Sequence, residues 1–135
     1  MTVLMLPYPI SANRYWRHSG AITHVSSEAK AYKRVVALAA KYAGVTPCSG
    51  VVAVDITFHP KTTKSGAASK QRLDLDNVLK VTLDALQGVA YQNDSQVNYI
   101  TADVGQAIDG GGLSVQVRSV SDVFAELDKT MTGEG

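Results

Sequence analysis

Val51-Val52-Ala53-Val54-Asp55-Ile56-Thr57-Phe58-His59 decides how this chain is read. Two sets of residues alternate along it. Val51, Ala53, Asp55 and Thr57 form one set; Val52, Val54, Ile56 and Phe58 form the other. A strand sends successive side chains to opposite faces, so the stretch reads as a β-strand with one apolar and one mixed face. The apolar face needs a covering layer, and the flanking segments supply candidates for it.

Upstream, Ser26 or Ser27 caps a helix with Glu28 in its first turn, where the helix dipole favours an anion. The helix runs to about Tyr42 and is ended by Gly44 and Pro47. Ala31, Val35, Leu38 and Tyr42 recur at helical spacing and mark its expected apolar stripe. Residues 2–6 read as a first strand stopped by Pro7 and Pro9, and residues 11–24 as an irregular segment rich in Asn, Arg and aromatics.

Downstream, residues 61–72 form a loop carrying Lys61, Lys64, Lys70 and Arg72 and no acid. A second helix is expected from Asp76 to about Gln87, with Leu79, Leu83 and Leu86 on one side and Gly88 just past its end. Strands follow over 97–104 and 113–120, joined through the turn signal Asp109-Gly110-Gly111-Gly112. Ser119-Val120-Ser121-Asp122 resembles a capping box and opens a short C-terminal helix through Leu127. The expected architecture is α/β (α+β): one two-layer β-α-β-α-β-β domain over 1–129, a small mixed sheet covered on one face by helices, with a loose tail over 130–135.

The chain has 135 residues, of which 45% are hydrophobic and 19% charged, a globular composition. Its net charge of +1 hides an asymmetry. Residues 1–72 carry ten Lys and Arg against Glu28 and Asp55, net +8, while residues 73–135 carry three against ten acids, net −7. A polyanion held by the first part and processed at acids in the second fits this pattern, although folding can intermix the two halves. Cys48 is the only cysteine, which excludes an internal disulfide and a cysteine-based zinc site and suits a reducing compartment. The three histidines show no metalloprotease spacing. The first ten residues have no basic start and carry two prolines, unlike a signal peptide. No apolar run approaches the roughly 20 residues that span a bilayer.

The chemistry concentrates in Leu73-Asp74-Leu75-Asp76-Asn77-Val78-Leu79-Lys80 and Asn93-Asp94-Ser95-Gln96. If residues 73–76 are extended, Asp74 and Asp76 face one way and the leucines the other. Lys80 follows one helical turn after Asp76. Mg²⁺ takes oxygen ligands and keeps several waters, so Asp74, Asp76 and Asp94 suit a site for phosphodiester cleavage, with Lys80 offsetting transition-state charge. Plainer readings fit the same residues. Asp76 can be a helix cap, Lys80 a surface partner of Asp76 or Asp84 worth about 0.2–0.5 kcal/mol, and Asp94 a turn residue. Asn13-Arg14-Tyr15-Trp16-Arg17-His18 interleaves basic and aromatic residues, which can grip phosphates and stack on exposed bases, or anchor a core through Tyr15 and Trp16.

Taken together, these segments resemble the RusA family of Holliday-junction resolvases. The resemblance runs from Leu6-Pro7-Tyr8-Pro9 and Asn13-Arg14-Tyr15-Trp16-Arg17-His18, through Thr23-His24-Val25-Ser26 and Ala31-Tyr32, to Asp74-Leu75-Asp76-Asn77, Lys80, Asp84-Ala85-Leu86 and Asp94-Ser95-Gln96-Val97. It implies a homodimeric endodeoxyribonuclease that nicks a four-way DNA junction symmetrically in recombination and repair. It implies Mg²⁺, or Mn²⁺ in its place, held by Asp74, Asp76 and Asp94, with Lys80 catalytic. Arg14, Arg17, Lys61, Lys64, Lys70 and Arg72 are then the expected DNA contacts, with no small-molecule cofactor and no membrane. The expected setting is the cytoplasm, at the nucleoid, with a phage or prophage gene as one origin. Rival readings are a branched-DNA-binding protein without cleavage and a nuclease for flaps, forks or RNA. Two stretches depart from the family's habit: the basic run before Asp74 is diluted with Gly, Ala and Ser, and Asn93 replaces a frequent acid before Asp94.

Overall fold

The computed structural model describes residues 3–63 and 75–120. The alternating stretch forms β4 (Val52–His59), which lies inside a four-stranded sheet. Its neighbours are β6 (Gly112–Ser119), antiparallel, and β5 (Val97–Val104), parallel. β1 (Val3–Leu6) pairs antiparallel with the far side of β6, giving the order β1-β6-β4-β5. The mixed sheet expected from the sequence is therefore present. The turn at 109–112 joins β5 to β6 without pairing them, because β4 lies between. Gly111 in that turn has φ 68°, and a Cβ there would lie 2.4 Å from the Tyr8 ring, so only glycine fits.

Two long helices cover one face. α2 (Ser27–Ala43) starts at Ser26, whose Oγ accepts the Ala29 N–H at 3.1 Å, and ends at Gly44 with φ 77°. α3 (Leu75–Ala85) lies between β4 and β5 in sequence, the crossover that a parallel pair requires. Between these helices and the sheet, Val52, Val54, Ile56 and Phe58 pack with Leu4, Leu6, Tyr32, Val36, Ala40, Val78, Ala85, Leu113 and Val115. Asp55, Thr57 and His59 point to the opposite, half-exposed face, as the alternation demands.

Three expectations are corrected. The buried stripe of α2 is Ala29, Tyr32, Val36 and Ala40, while Val35, Leu38 and Tyr42 are 46%, 56% and 91% exposed. Both stripes are apolar at helical spacing. The sheet selects the one that carries Tyr32, whose hydroxyl donates to the Pro7 carbonyl at 2.8 Å. The supposedly irregular segment contains the short α1 (Ala12–Tyr15) and a hairpin of β2 (Trp16–Ser19) and β3 (Ile22–Val25), turned at Gly20 with φ 62°. Finally, α3 includes Asp76 as expected but already begins at Leu75, which is helical rather than extended. The expected C-terminal helix and tail, and Lys64, Lys70, Arg72 and Asp74, lie outside the described residues.

Candidate active site

α3 carries two of the candidate site residues. Asp76 occupies its first turn, and Lys80 follows four residues later with Nζ 3.8 Å from Asp76 Oδ2. The two side chains are 72% and 62% exposed, so the pair stands at the surface, where a large anion can reach it. The next residue in this row is Asp84, and its role is different. Its carboxylate accepts the Tyr15 hydroxyl at 2.6 Å and the Gln87 amide at 3.2 Å, and Lys33 Nζ lies 3.7 Å away. Asp84 is thus committed to internal contacts. Burial, then the Asp84 carboxylate, push the Tyr15 phenol well above its usual range, so Tyr15 remains a donor.

Tyr15 is wholly buried with Ala29 and Val81, which answers one question the sequence left open: it anchors a core. This small cluster wedges α1 between the two long helices. Ser26 reinforces it by donating to the Arg14 carbonyl at 2.6 Å while capping α2. Trp16, by contrast, is only half-buried, with its ring 4.7 Å from that of Tyr15. Trp16 and His18 share one face of the hairpin with Thr23, because strand side chains alternate. Across a groove of about 320 Å³ this face meets Asn77 and Lys80 of α3.

Asp94 opens a single 3-10 turn, Asp94–Gln96, immediately before β5. The loop that displays it is tied from several sides. Tyr91 donates its hydroxyl to the Leu83 carbonyl at 2.5 Å. Asn93 accepts the Ser95 N–H at 2.9 Å, and Gln96 accepts the N–H groups of Gln92 and Asn93 at 2.8 and 2.9 Å. Asn93 therefore serves as the cap of this turn, a task asparagine performs as well as aspartate. The Asp94 N–H donates to Gln87 Oε1 at 3.1 Å, and Gln87 in turn reaches Asp84. Asp94 is so connected to the helix row of Asp76, Lys80 and Asp84. Burial, then the Asp94 and Asp84 carboxylates, raise the Tyr91 phenol above its usual range.

Sequence reasoning missed Gln87, Tyr91 and Gln96 as supports. Gln96 lay inside a recognised motif and Gln87 three residues beyond Asp84, but their partners become visible only when the loop is folded back. Of the expected DNA contacts, Arg14 is paired with Glu28. Arg17 is exposed on the hairpin face opposite Trp16. The Lys61 ammonium lies 4.3 Å from the centre of the Tyr8 ring. Among the described residues no three His, Cys, Asp or Glu groups are close enough together to hold a metal ion. Asp76 and Asp94 remain exposed oxygen donors that suit a hard cation.

The α/β domain thus presents Asp76 and Lys80 on the exposed row of α3, with Asp94 on an adjacent turn tied to the same helix. Residues 7–118 match the family described as Endodeoxyribonuclease RusA, and the chain belongs to that family. It is 36% identical over 96 residues to the crossover junction endodeoxyribonuclease RusA of Escherichia coli (strain K12), covering 70% of this chain and 74% of that protein. The same-named protein of phage HK97 is 28% identical over 123 residues, covering 88% of this chain and 95% of its own length. That of phage 82 is 34% identical over 96 residues, covering 70% and 74%. Among the described residues no helix is long and apolar enough to cross a membrane.

Proposed function

We propose that this chain is a structure-selective endodeoxyribonuclease that resolves four-way DNA junctions by paired, symmetric, Mg²⁺-dependent phosphodiester cleavage in recombination and repair. The observation that carries the reading is the exposed Asp76–Lys80 pair of α3, with Asp94 tied to the same helix, in a chain of an endodeoxyribonuclease family. Asp76 and Asp94 would hold the metal together with Asp74, two residues earlier in the chain, and Mn²⁺ accepts the same oxygen ligands. When bound, the metal neutralises phosphate charge and activates the attacking water.

The remaining work falls to the protein. Asp76 lies in the first turn of α3, where the helix dipole favours an anion. Lys80 brings a compact ammonium to the same surface, where it offsets the charge that grows on the phosphate oxygens. Gln87 and Gln96 hold the backbone of the Asp94 turn, which lowers the cost of ordering it around a ligand. Arg17, Lys61, Lys64, Lys70 and Arg72 supply backbone contacts, and Arg14 joins them on leaving Glu28. A four-way junction needs two related cuts, and a homodimer supplies two sites related by a two-fold axis. Relatives in two phages support a phage or prophage origin, with action on DNA in the bacterial cytoplasm.

The test is a synthetic four-way junction incubated with and without Mg²⁺, with both nicks mapped. Symmetric nicks that require the metal, and an Asp76→Asn protein that binds without cutting, are the expected results. Binding without any nicking by the natural protein would instead make it a branched-DNA-binding protein. Faster cutting of flaps, forks or RNA would reassign its substrate.

A further inference from the structure

Neither Asp76 nor Asp94 lines the groove between the β2–β3 hairpin and α3, yet it opens beside Lys80. At about 320 Å³ it lies at the lower end of clefts that take small organic groups, roughly 300 Å³ and upward, and is too small for a duplex. One wall is the Trp16 indole, held against Tyr15 and hence fixed to the core. The polar groups around it come from Asn13, His18, Thr23 and Asn77, and none of the described residues lining it is acidic. His18 Nδ1 and Thr23 Oγ1 lie 3.0 Å apart across the hairpin, which orients the imidazole. An aromatic wall, amide and imidazole groups able to meet a base edge, and a cation at one end match a nucleotide: base, hydrogen-bonding edge and phosphate.

We propose that this groove takes one unstacked nucleobase of the strand being cut, laid against Trp16 while its flanking phosphate lies at Lys80, and that Asn13 and Asn77 read its edge. The proposal rests on the nuclease reading above and adds a base subsite to it. Strands at a junction's exchange point are the ones whose bases can leave the stack at least cost, so the groove favours branched over continuous DNA. Local discrimination among bases then arises at the cut itself.

Trp16 is the only tryptophan, so indole emission reports on this groove alone. The full-length protein is titrated with a fluorescein-labelled four-way junction without divalent metal, following label anisotropy and indole emission together. In Mg²⁺, nicking rates are compared across junctions that vary the nucleotide flanking the mapped cut, including an abasic one. The expected results are quenching of indole emission in step with binding and nicking slowed about tenfold by the abasic nucleotide. Asn77→Ala should narrow the spread of rates among bases, and Trp16→Phe should keep it. Trp16→Ala should narrow it as well, with circular dichroism showing whether the fold survives. Junction binding and Mg²⁺-dependent nicking with unchanged indole emission and no abasic effect would overturn the base subsite and leave the nuclease reading standing. Absence of both binding and nicking would overturn the two together.

Discussion

Replacing Gln96 by alanine should disarm the site without touching a proposed metal ligand. The Gln96 amide accepts the N–H groups of Gln92 and Asn93 at 2.8 and 2.9 Å and donates to the carbonyls of Cys48 and Gly50 at 3.0 and 2.7 Å. It therefore clamps the turn that displays Asp94 onto the segment entering β4. Because these groups lie near the surface, each bond is taken at the low end of its net worth, about 0.5 kcal/mol, giving about 2 kcal/mol in all. For a domain of this size that loss lowers the thermal midpoint by about 4–8 °C, measured by far-ultraviolet circular dichroism. The effect on chemistry should be larger, because a carboxylate displaced by about 1 Å can cost about a hundredfold in rate. Single-turnover nicking of a junction in saturating Mg²⁺ measures that loss, with metal-free binding as the control. Gln96→Glu keeps the two accepting bonds but cannot donate to the two carbonyls, so it should be no better than alanine. An alanine variant that melts and nicks like the natural protein would refute the clamp. One that melts earlier but nicks normally would show that Asp94 needs no such support.

Lys80→Ala should slow nicking by about 10²–10³-fold while binding changes little, read by the same single-turnover assay. Exchanging Lys61, Lys64, Lys70 and Arg72 together for alanine should weaken junction binding and lower the slope of log affinity against log salt by about 3–4, since fewer counterions are released. Tyr15→Phe leaves Asp84 without its hydroxyl donor and should destabilise the fold by about 1–2 kcal/mol, measured by urea unfolding. Burial raises the phenols of Tyr15, Tyr32 and Tyr91, with nearby carboxylates adding to the first and last. Above the unfolded phenol value of about 10, the folded state then binds more protons than the unfolded state. Stability from these groups is complete below that pH and falls as pH rises beyond it, which an unfolding series in alkaline buffers checks.

How far the sequence could be read depended on the range of the interaction concerned. The strand through Val54 and Ile56 was legible because a two-residue period is a property of the local backbone. So was the placing of Lys80 beside Asp76, which helical geometry imposes on residues four apart. The face of α2 was not legible. Its sequence offers two apolar stripes, and only the position of the sheet and the Pro7 carbonyl decides between them. The β2–β3 hairpin escaped notice because four-residue strands with polar faces carry little periodic signal.

The site divides in the same way. Sequence by itself supplied the candidate donors, carboxylates and a lysine at fixed spacing, and a family pattern that the comparison over residues 7–118 bears out. Tertiary structure alone decided which neighbours those groups keep. Asp84 looks like one more acid on the Lys80 row, yet Tyr15, 69 residues away, turns it inward. Tyr15 and Trp16 are adjacent and alike in the sequence, but one is buried in the core and the other lines a groove. The physical reason is common to both: a residue's type and local geometry travel with the chain, whereas burial and hydrogen-bond partners exist only once distant segments are packed together.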